Sequence, residues 1–196
     1  IDFTVLNVPG EYVIKAAGLT SRPFRISDKV WEDSKWRVLN FVFCQRCGYA
    51  VPGIHDECHK DMFAVHKGDS ISYGGGWHDA GDVTYNLMEA YLNSRDTNPV
   101  LAERLLEEAL WGLDFVLKSR FGDGWRASSM GLLHWTDGVT GTFDDITTVR
   151  KQNLAFDNFL LSGYEAFAAK NIPGKIRIRE ELAKAAAEDF DFAMQK

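Results

Sequence analysis

The sequence predicts a mainly α-helical protein of α/α architecture, preceded by a short β segment. Beyond residue 80, apolar residues recur at three- and four-residue steps in several successive stretches, as they do along one face of an amphipathic helix. Before residue 27, β-branched and aromatic residues come in short runs around a Pro-Gly turn instead. The character of the chain therefore changes once, near residue 27.

The β segment predicts an antiparallel hairpin. Residues 3–6 (FTVL) and 11–16 (EYVIKA) are the strand-like runs, and NVPG at 7–10 separates them. Two strands alone cannot bury a core. We therefore expect them to be the last strands of a β domain.

From residue 27 onward the pattern predicts helices in hairpin succession, which is typical of α/α proteins. Ser27 or Asp28 is expected to cap a first helix whose Trp31 and Trp36 pack in the core. Residues 48–78 form a long irregular segment, and such segments are commonly functional. Further helices are predicted over 82–94, 99–120, 154–169 and 175–195. The buried face of the second of these carries Leu101, Leu105, Ala109, Leu113 and Val116, and that of the last carries Leu182, Ala186, Phe190 and Ala193.

Composition argues against two classes of partner. The 196 residues carry a formal net charge of −6 and no run of Lys or Arg, so we expect no nucleic acid and no membrane as partner. No apolar run approaches the roughly 18 residues that a membrane span needs. The chain begins at Ile1 without a methionine, and we expect it to be cut from a longer protein.

A glycine-rich segment, YGGGWHDAGD at 73–82, is the strongest candidate for chemistry. Asp79 and Asp82 lie in a turn that enters a helix, where both carboxylates can face the same way. A pair of carboxylates suits the activation of water, one as base and the other to orient it. An Asp in front of a helix is also a common N-cap, so the spacing alone leaves both interpretations open.

The three cysteines, Cys44, Cys47 and Cys58, lie near several histidines and do not form a disulfide framework. Their spacing indicates a metal site rather than three buried thiols.

Several motifs together resemble glycoside hydrolase family 9, the inverting cellulase family. They are GGWHDAGD at 75–82, QRCG at 45–48, CH at 58–59, LEEALWGLDFVLK at 106–118 and FGDG at 121–124. The resemblance implies an (α/α)6 barrel of six helical hairpins that hydrolyses β-1,4-glucan. It assigns residues 27–196 to the front part of the catalytic domain and residues 1–26 to the end of an immunoglobulin-like β-sandwich.

By the same resemblance, Asp82 matches the catalytic base and Asp79 the carboxylate that helps to hold the water. The general acid of the family is a glutamate near the end of the barrel, so we expect it in the remainder of the catalytic domain. The resemblance also implies a secreted or periplasmic bacterial enzyme whose substrate is a β-1,4-glucan or its oligosaccharides.

Members with His in this motif carry a structural zinc, and the matching ligands are Cys47, Cys58, His59 and His78. Two thiolates and two imidazoles make a closed tetrahedral site. Cys44, which forms a CxxC with Cys47, or His66 are alternatives for one position, and His55 is a more distant one. Asp144 and Asp145 either hold a calcium ion or cap the next helix.

Sugar contacts are expected from aromatic rings, because pyranose faces stack on them. Trp77, Trp125 and Trp135 are candidate platforms, with core packing as the alternative, and His134 and Arg126 are candidates for the cleft wall. The family usually continues its motif with YGKY, whereas VTYN stands at 83–86, which leaves endoglucanase, exo-acting glucosidase and glucosaminidase open. A non-catalytic carbohydrate-binding or scaffold protein is the alternative of a different class. An α/α-barrel lyase would use Tyr or His, which the Asp pair argues against.

Overall fold

The computed structural model describes residues 2–57, 63–67, 69–72, 80–132, 147–174 and 176–196. The chain divides into two compact units, residues 1–40 and residues 41–196. Five helices and eight short strands make up the regular structure of the described part, so the mainly α fold class is confirmed. None of the described helices combines the length and the apolar character that crossing a bilayer requires.

The first unit contains two small antiparallel pairs. Strand β1 (Gly10–Tyr12) pairs with β4 (Phe24–Ile26), and β2 (Lys15–Ala16) pairs with β3 (Leu19–Thr20). Antiparallel pairing is therefore confirmed for part of residues 10–26. Its place in a β-sandwich and the domain boundary at 26/27 stay predictions.

The predicted partner strand, residues 3–6, is wrong. These residues form a turn in which the amide of Leu6 donates to the carbonyl of Phe3 at 2.9 Å. The hairpin turn lies instead at Ala17 and Gly18, whose φ values are 49° and 77°. Two successive residues at positive φ give the type I′ turn that matches strand twist, and this turn selects the downstream partner.

Helix α1 (Glu32–Phe43) begins later than predicted. Ser27 forms a local turn in which its Oγ accepts from the amide of Lys29 at 3.1 Å, so it caps no helix. Trp31 and Trp36 are 69% and 38% exposed, so their predicted core position is wrong. The apolar residues of this stretch are distributed around the helix, and one face cannot bury them all.

The second unit is built on two helical hairpins, α2 (Ala80–Ser94) with α3 (Pro99–Lys118) and α4 (Ala155–Asn171) with α5 (Ile176–Met194). Helix α2 also packs against α4. All four predicted helices lie within two residues of these bounds. Asn98 caps α3 by accepting from the amide of Leu101 at 3.2 Å.

The predicted buried face of α3 is confirmed at all five positions. On α5, Leu182, Ala186 and Ala193 are buried, but Phe190 is 49% exposed and its predicted burial is wrong. Asp189 takes the inward position instead, three residues after Ala186 and four before Ala193, because a buried charged cluster holds it.

Two further hairpins complete the described part. Strands β5 (Phe63–His66) and β6 (Asp69–Ser72) pair within the segment predicted to be irregular, which is a correction. Strands β7 (Arg126–Leu132) and β8 (Thr147–Gln152) also pair, and Arg126 lies opposite Gln152. The second hairpin carries both residues to the N-terminal side of α4.

Candidate active site

Asp82 lies in the first turn of α2, as its third residue, and its side chain is exposed. It is therefore not the N-cap. An anionic side chain in the first turn is stabilised by the positive end of the helix dipole. Its Oδ1 accepts a hydrogen bond from the Tyr164 hydroxyl at 2.6 Å. Asp79 directly precedes the helix and lies outside the described residues.

Gly81 allows the start of α2 to lie close to α4. A Cβ at this position would stand 3.0 Å from Leu161 Cδ2 and 3.4 Å from Tyr164 Cε2. Close packing against α4 therefore favours glycine at the position before Asp82, which the sequence alone does not show.

Asp82 lines a pocket of about 200 Å³ between α2, α3, α4 and the β7–β8 hairpin. The polar side chains around it are those of Asp82, Ser119, Arg126, Gln152 and Asp157. Gln152 donates to Asp157 at 2.5 Å. The apolar part of the wall comes from Phe115, Val116, Phe156, Leu160 and Leu161. A cavity with one exposed carboxylate and several hydrogen-bonding groups suits a polyhydroxylated ligand.

A buried charged cluster lies on one side of this pocket. Arg120 donates to Asp189 Oδ1 from Nε at 3.1 Å and from Nη2 at 2.9 Å, and to Glu188 at 2.9 Å. Arg126 donates to the other oxygen of Asp189. Because Arg126 also lines the pocket, the cluster holds one wall of the site in place.

Glu165 is the unusual member of this cluster. It is 0% exposed, and its Oε1 lies 4.0 Å from Arg120 Nε and 3.9 Å from Arg126 Nη2. Within the described part of the chain, no donor reaches either carboxylate oxygen at hydrogen-bond distance. Burial, and next the charge of Asp189, raise the pKa of Glu165 from 4.5 to about 8.

The proton on Glu165 makes stability depend on pH. Between pH 4.5 and 8 the folded protein retains a proton that the unfolded chain has released. The contribution of this group is thus largest at low pH and decreases as the pH rises toward 8.

The QRCG segment is tied to α3 by a second buried ion pair. Arg46 donates to Glu108 from Nε at 3.0 Å and from Nη2 at 2.7 Å. The guanidinium carbon lies 4.5 Å from the ring centroid of Trp111 and 5.3 Å from that of Tyr49. This pairing joins two segments that carry the family resemblance, and Trp111 itself is half-buried.

The histidines near the cysteines have different environments. Both ring nitrogens of His55 lie close to carbonyl oxygens, Nδ1 2.6 Å from that of Asp56 and Nε2 3.0 Å from that of Cys44. His66 is buried, and its Nε2 lies 2.9 Å from Asp123 Oδ2. Lys67 also donates to Asp123. Burial alone would raise the pKa of Asp123, but the contacts with Lys67 and His66 lower it to about 2.

Of the predicted zinc ligands, only Cys47 belongs to the described residues, where it is 3% exposed. Cys58, His59 and His78 lie outside them. The described residues contain no group of three or more side chains able to hold a metal. Cys44 follows the end of α1 and is half-buried, and it is not part of the helix.

Solved structures with this architecture cover the whole chain. An endoglucanase from Alicyclobacillus acidocaldarius superposes with a TM-score of 0.70 at 19% identity over 100% of this chain and 42% of its own. A metagenome-derived glycoside hydrolase family 9 endoglucanase superposes with a TM-score of 0.66 at 22% identity, over 100% of this chain and 42% of its own. The fold is that of the family 9 endoglucanases. A third structure, AaCel9A in complex with cellobiose-like isofagomine, superposes with a TM-score of 0.68 at 18% identity, over 100% of this chain and 43% of its own.

A curated sequence points in the same direction. A cellodextrinase of Butyrivibrio fibrisolvens is 33% identical over 89 residues, which are 41% of this chain and 16% of the relative. No family model matches the chain. The chain spans less than half the length of the family 9 structures named above.

Among the predicted sugar contacts, Trp125 is described and half-buried. Its ring lies 5.3 Å from that of His66, and it does not belong to the wall of the Asp82 pocket. Arg126, expected at the cleft wall, does line that pocket. Trp77, His134 and Trp135, and the candidate calcium ligands Asp144 and Asp145, lie outside the described residues.

Sequence reasoning missed Tyr164 and the buried carboxylates Glu108, Glu165 and Asp189. A signal existed for two of them, since Glu108 and Asp189 fall on the apolar stripes of α3 and α5. No comparable signal marks Tyr164, whose partner is 82 positions away.

Proposed function

We propose that residues 27–196 are the front part of a family 9 catalytic domain that hydrolyses β-1,4-glycosidic bonds in glucan with inversion. The observation that carries the proposal is the exposed carboxylate of Asp82, which lines a pocket at the start of a helix within the fold of family 9. The identity to a cellodextrinase supports glucan hydrolysis as the reaction class.

In the proposed mechanism Asp82 is the general base. Its Oδ1 is bound by Tyr164, so we assign proton abstraction to Oδ2. Asp82 takes a proton from a water molecule, and the oxygen of that water attacks the anomeric carbon while the glycosidic bond breaks. Asp79 holds the same water. The leaving oxygen receives a proton from a glutamate in the remainder of the domain, at the roughly 6.5–9.5 Å separation of inverting enzymes.

The proposed substrate is a β-1,4-glucan or its oligosaccharides. A relative of the same fold was solved with a cellobiose-like isofagomine, and the polar wall of the Asp82 pocket offers partners to sugar hydroxyls. A secreted or periplasmic location follows from such a substrate, because a polymeric glucan does not enter a cell.

A second candidate acts on short cellodextrins rather than on the polymer, by an exo mode. The similarity to a cellodextrinase favours it over glucosaminidase action. Release of reducing sugar from cellohexaose and from amorphous cellulose separates the two candidates, since an exo-acting enzyme should be much slower on the polymer.

We propose a structural zinc held by Cys47, Cys58, His59 and His78. The near-complete burial of the Cys47 thiol fits a ligand of a closed site. His55 fits poorly as a zinc ligand, because carbonyl oxygens lie close to both of its ring nitrogens. His66 fits better as the alternative ligand, since Asp123 contacts its Nε2 and a metal could bind at Nδ1. When bound, zinc would pin the segment in front of Asp82. Calcium at Asp144 and Asp145 remains a secondary proposal.

Replacement of Asp82 by Asn in the complete enzyme tests the proposed reaction. The substitution keeps size and removes the base, so kcat should fall by roughly the 10²–10⁴ that a general base supplies, while binding of cello-oligosaccharides persists. A fully active variant would remove Asp82 from the mechanism. Unchanged sugar binding without any turnover in the parent enzyme would favour the non-catalytic carbohydrate-binding alternative.

A further inference from the structure

We infer that Tyr164 is a positioning residue for Asp82, a role that deepens the proposed function and rests on it. Its hydroxyl fixes one carboxylate oxygen, so that the other keeps a constant direction toward the pocket. The inference depends on three observations: the contact itself, the support behind Tyr164, and the glycine that allows the contact.

The contact joins two helices. The Tyr164 hydroxyl on α4 donates to Asp82 Oδ1 on α2 at 2.6 Å, a short distance that is typical of an O–H donor on a carboxylate. An exposed aspartate in the first turn of a helix otherwise samples several rotamers. The hydrogen bond from Asn86 reaches only the backbone carbonyl of Asp82, at 2.8 Å, and leaves the carboxylate orientation unaffected. Tyr164 therefore acts on the reactive group itself.

Tyr164 has rigid support. Its ring stacks on that of Tyr85, with centroids 4.9 Å apart and planes 25° apart. Phe167 packs against the ring of Tyr85, also with centroids 4.9 Å apart. The Tyr85 hydroxyl donates to Glu89 at 2.8 Å, away from Asp82. Two stacked tyrosines thus have separate acceptors. Side chains locked by packing are the ones that hold a reacting group within a fraction of an ångström.

Gly81 makes this arrangement possible. A Cβ there would meet the rings and methyl groups of α4, at 3.0 Å from Leu161 and 3.4 Å from Tyr164. A larger residue would press on the Leu161 methyl group, so that Leu161, the Tyr164 ring or α2 would have to shift. The glycine therefore lets α2 lie close to α4 next to the residue that Tyr164 contacts.

The test compares Tyr164→Phe with Tyr85→Phe in the complete enzyme. Each variant removes one hydroxyl from the same stacked pair, and only the first removes the bond to Asp82. We expect Tyr164→Phe to lower kcat about tenfold to a hundredfold, as the loss of a hydrogen bond to a charged group does, with KM unchanged. Tyr85→Phe should stay within about twofold of the parent. Each variant loses one hydroxyl hydrogen bond to a carboxylate, so both should unfold at similar midpoint temperatures, slightly below that of the parent.

A double variant separates the positioning role from a general structural one. If Tyr164 acts through Asp82, adding Tyr164→Phe to Asp82→Asn should cause no further loss of the residual rate. A further loss in that background, an unfolding midpoint far lower in Tyr164→Phe than in Tyr85→Phe, or a kcat equal to that of Tyr85→Phe would each refute the positioning role. An inactive Asp82→Asn beside a fully active Tyr164→Phe would refute this inference alone. An active Asp82→Asn would refute the proposed function as well.

Discussion

Replacement of Arg46 by alanine tests how the QRCG segment is held on α3. The Arg46 side chain is 5% exposed and that of Glu108 is 0% exposed, so the change leaves a buried carboxylate without its bidentate partner. It also removes the guanidinium that lies 4.5 Å from the Trp111 ring. Glu107, whose oxygen lies 3.5 Å from Arg46, is half exposed and can return to water. The loss of stability therefore comes mainly from Glu108, whose charge stays buried without a partner.

The magnitude follows from these contacts. Removal of one partner of a buried ion pair typically costs about 3–5 kcal/mol, because the remaining charge stays buried. Arg104→Ala provides the matched control: its pair with Glu107 is 40% and 49% exposed, and such pairs contribute less than about 1 kcal/mol. We expect the free energy of unfolding to fall by about 3–5 kcal/mol in Arg46→Ala and by less than about 1 kcal/mol in Arg104→Ala.

Urea unfolding of the 196-residue chain, followed by far-ultraviolet circular dichroism, measures both variants. The slope of free energy against urea must stay constant for the comparison to hold. The double variant Arg46→Met with Glu108→Met should regain much of the loss, since no charge is then left unpaired. An Arg46→Ala midpoint equal to that of Arg104→Ala would refute the buried-pair reasoning.

Three further predictions concern pH, metal and activity. Between pH 5 and 8 the parent chain should lose stability on the order of a few kcal/mol through Glu165, and Glu165→Gln should flatten that dependence in urea unfolding at each pH. A pH dependence identical in the variant would assign it to other groups. Protein purified without added zinc should contain about one equivalent of zinc by elemental analysis. Cys58→Ser should lower the free energy of unfolding by several kcal/mol. A parent protein that contains no metal and is as stable as Cys58→Ser would contradict the zinc site. The 196-residue chain alone should not turn over cello-oligosaccharides in a reducing-sugar assay, and rigorously purified chain that does so would contradict the assignment of the acid to the remainder of the domain.

The helices of the second unit were predictable because their signal is local. Apolar residues three and four positions apart define α3 and α5 from neighbouring positions alone. The β pairing failed for the opposite reason. Its register depends on a turn at Ala17 and Gly18, and Ala17 is not a residue type that predicts positive φ.

The site was predictable only in part. The glycine-rich motif pointed to Asp82, but its spacing alone left the N-cap interpretation open, and its role as a base rests on the resemblance to family 9 and stays a proposal. The contact with Tyr164 joins positions 82 apart and depends on how two helical hairpins pack, which periodicity does not encode. For Glu165 the sequence shows a charge on a helix but not the two arginines near it.

The pair of Arg46 and Glu108 has a consequence for the order of folding. It closes an interval of 62 residues, whereas each helical hairpin closes over a short loop, and contacts distant in sequence form later than local ones. We therefore expect the QRCG segment to dock after α3 has formed. Cys47, next in the chain to Arg46, is 3% exposed in the folded protein, so its thiol should react with alkylating reagents mainly before this docking is complete.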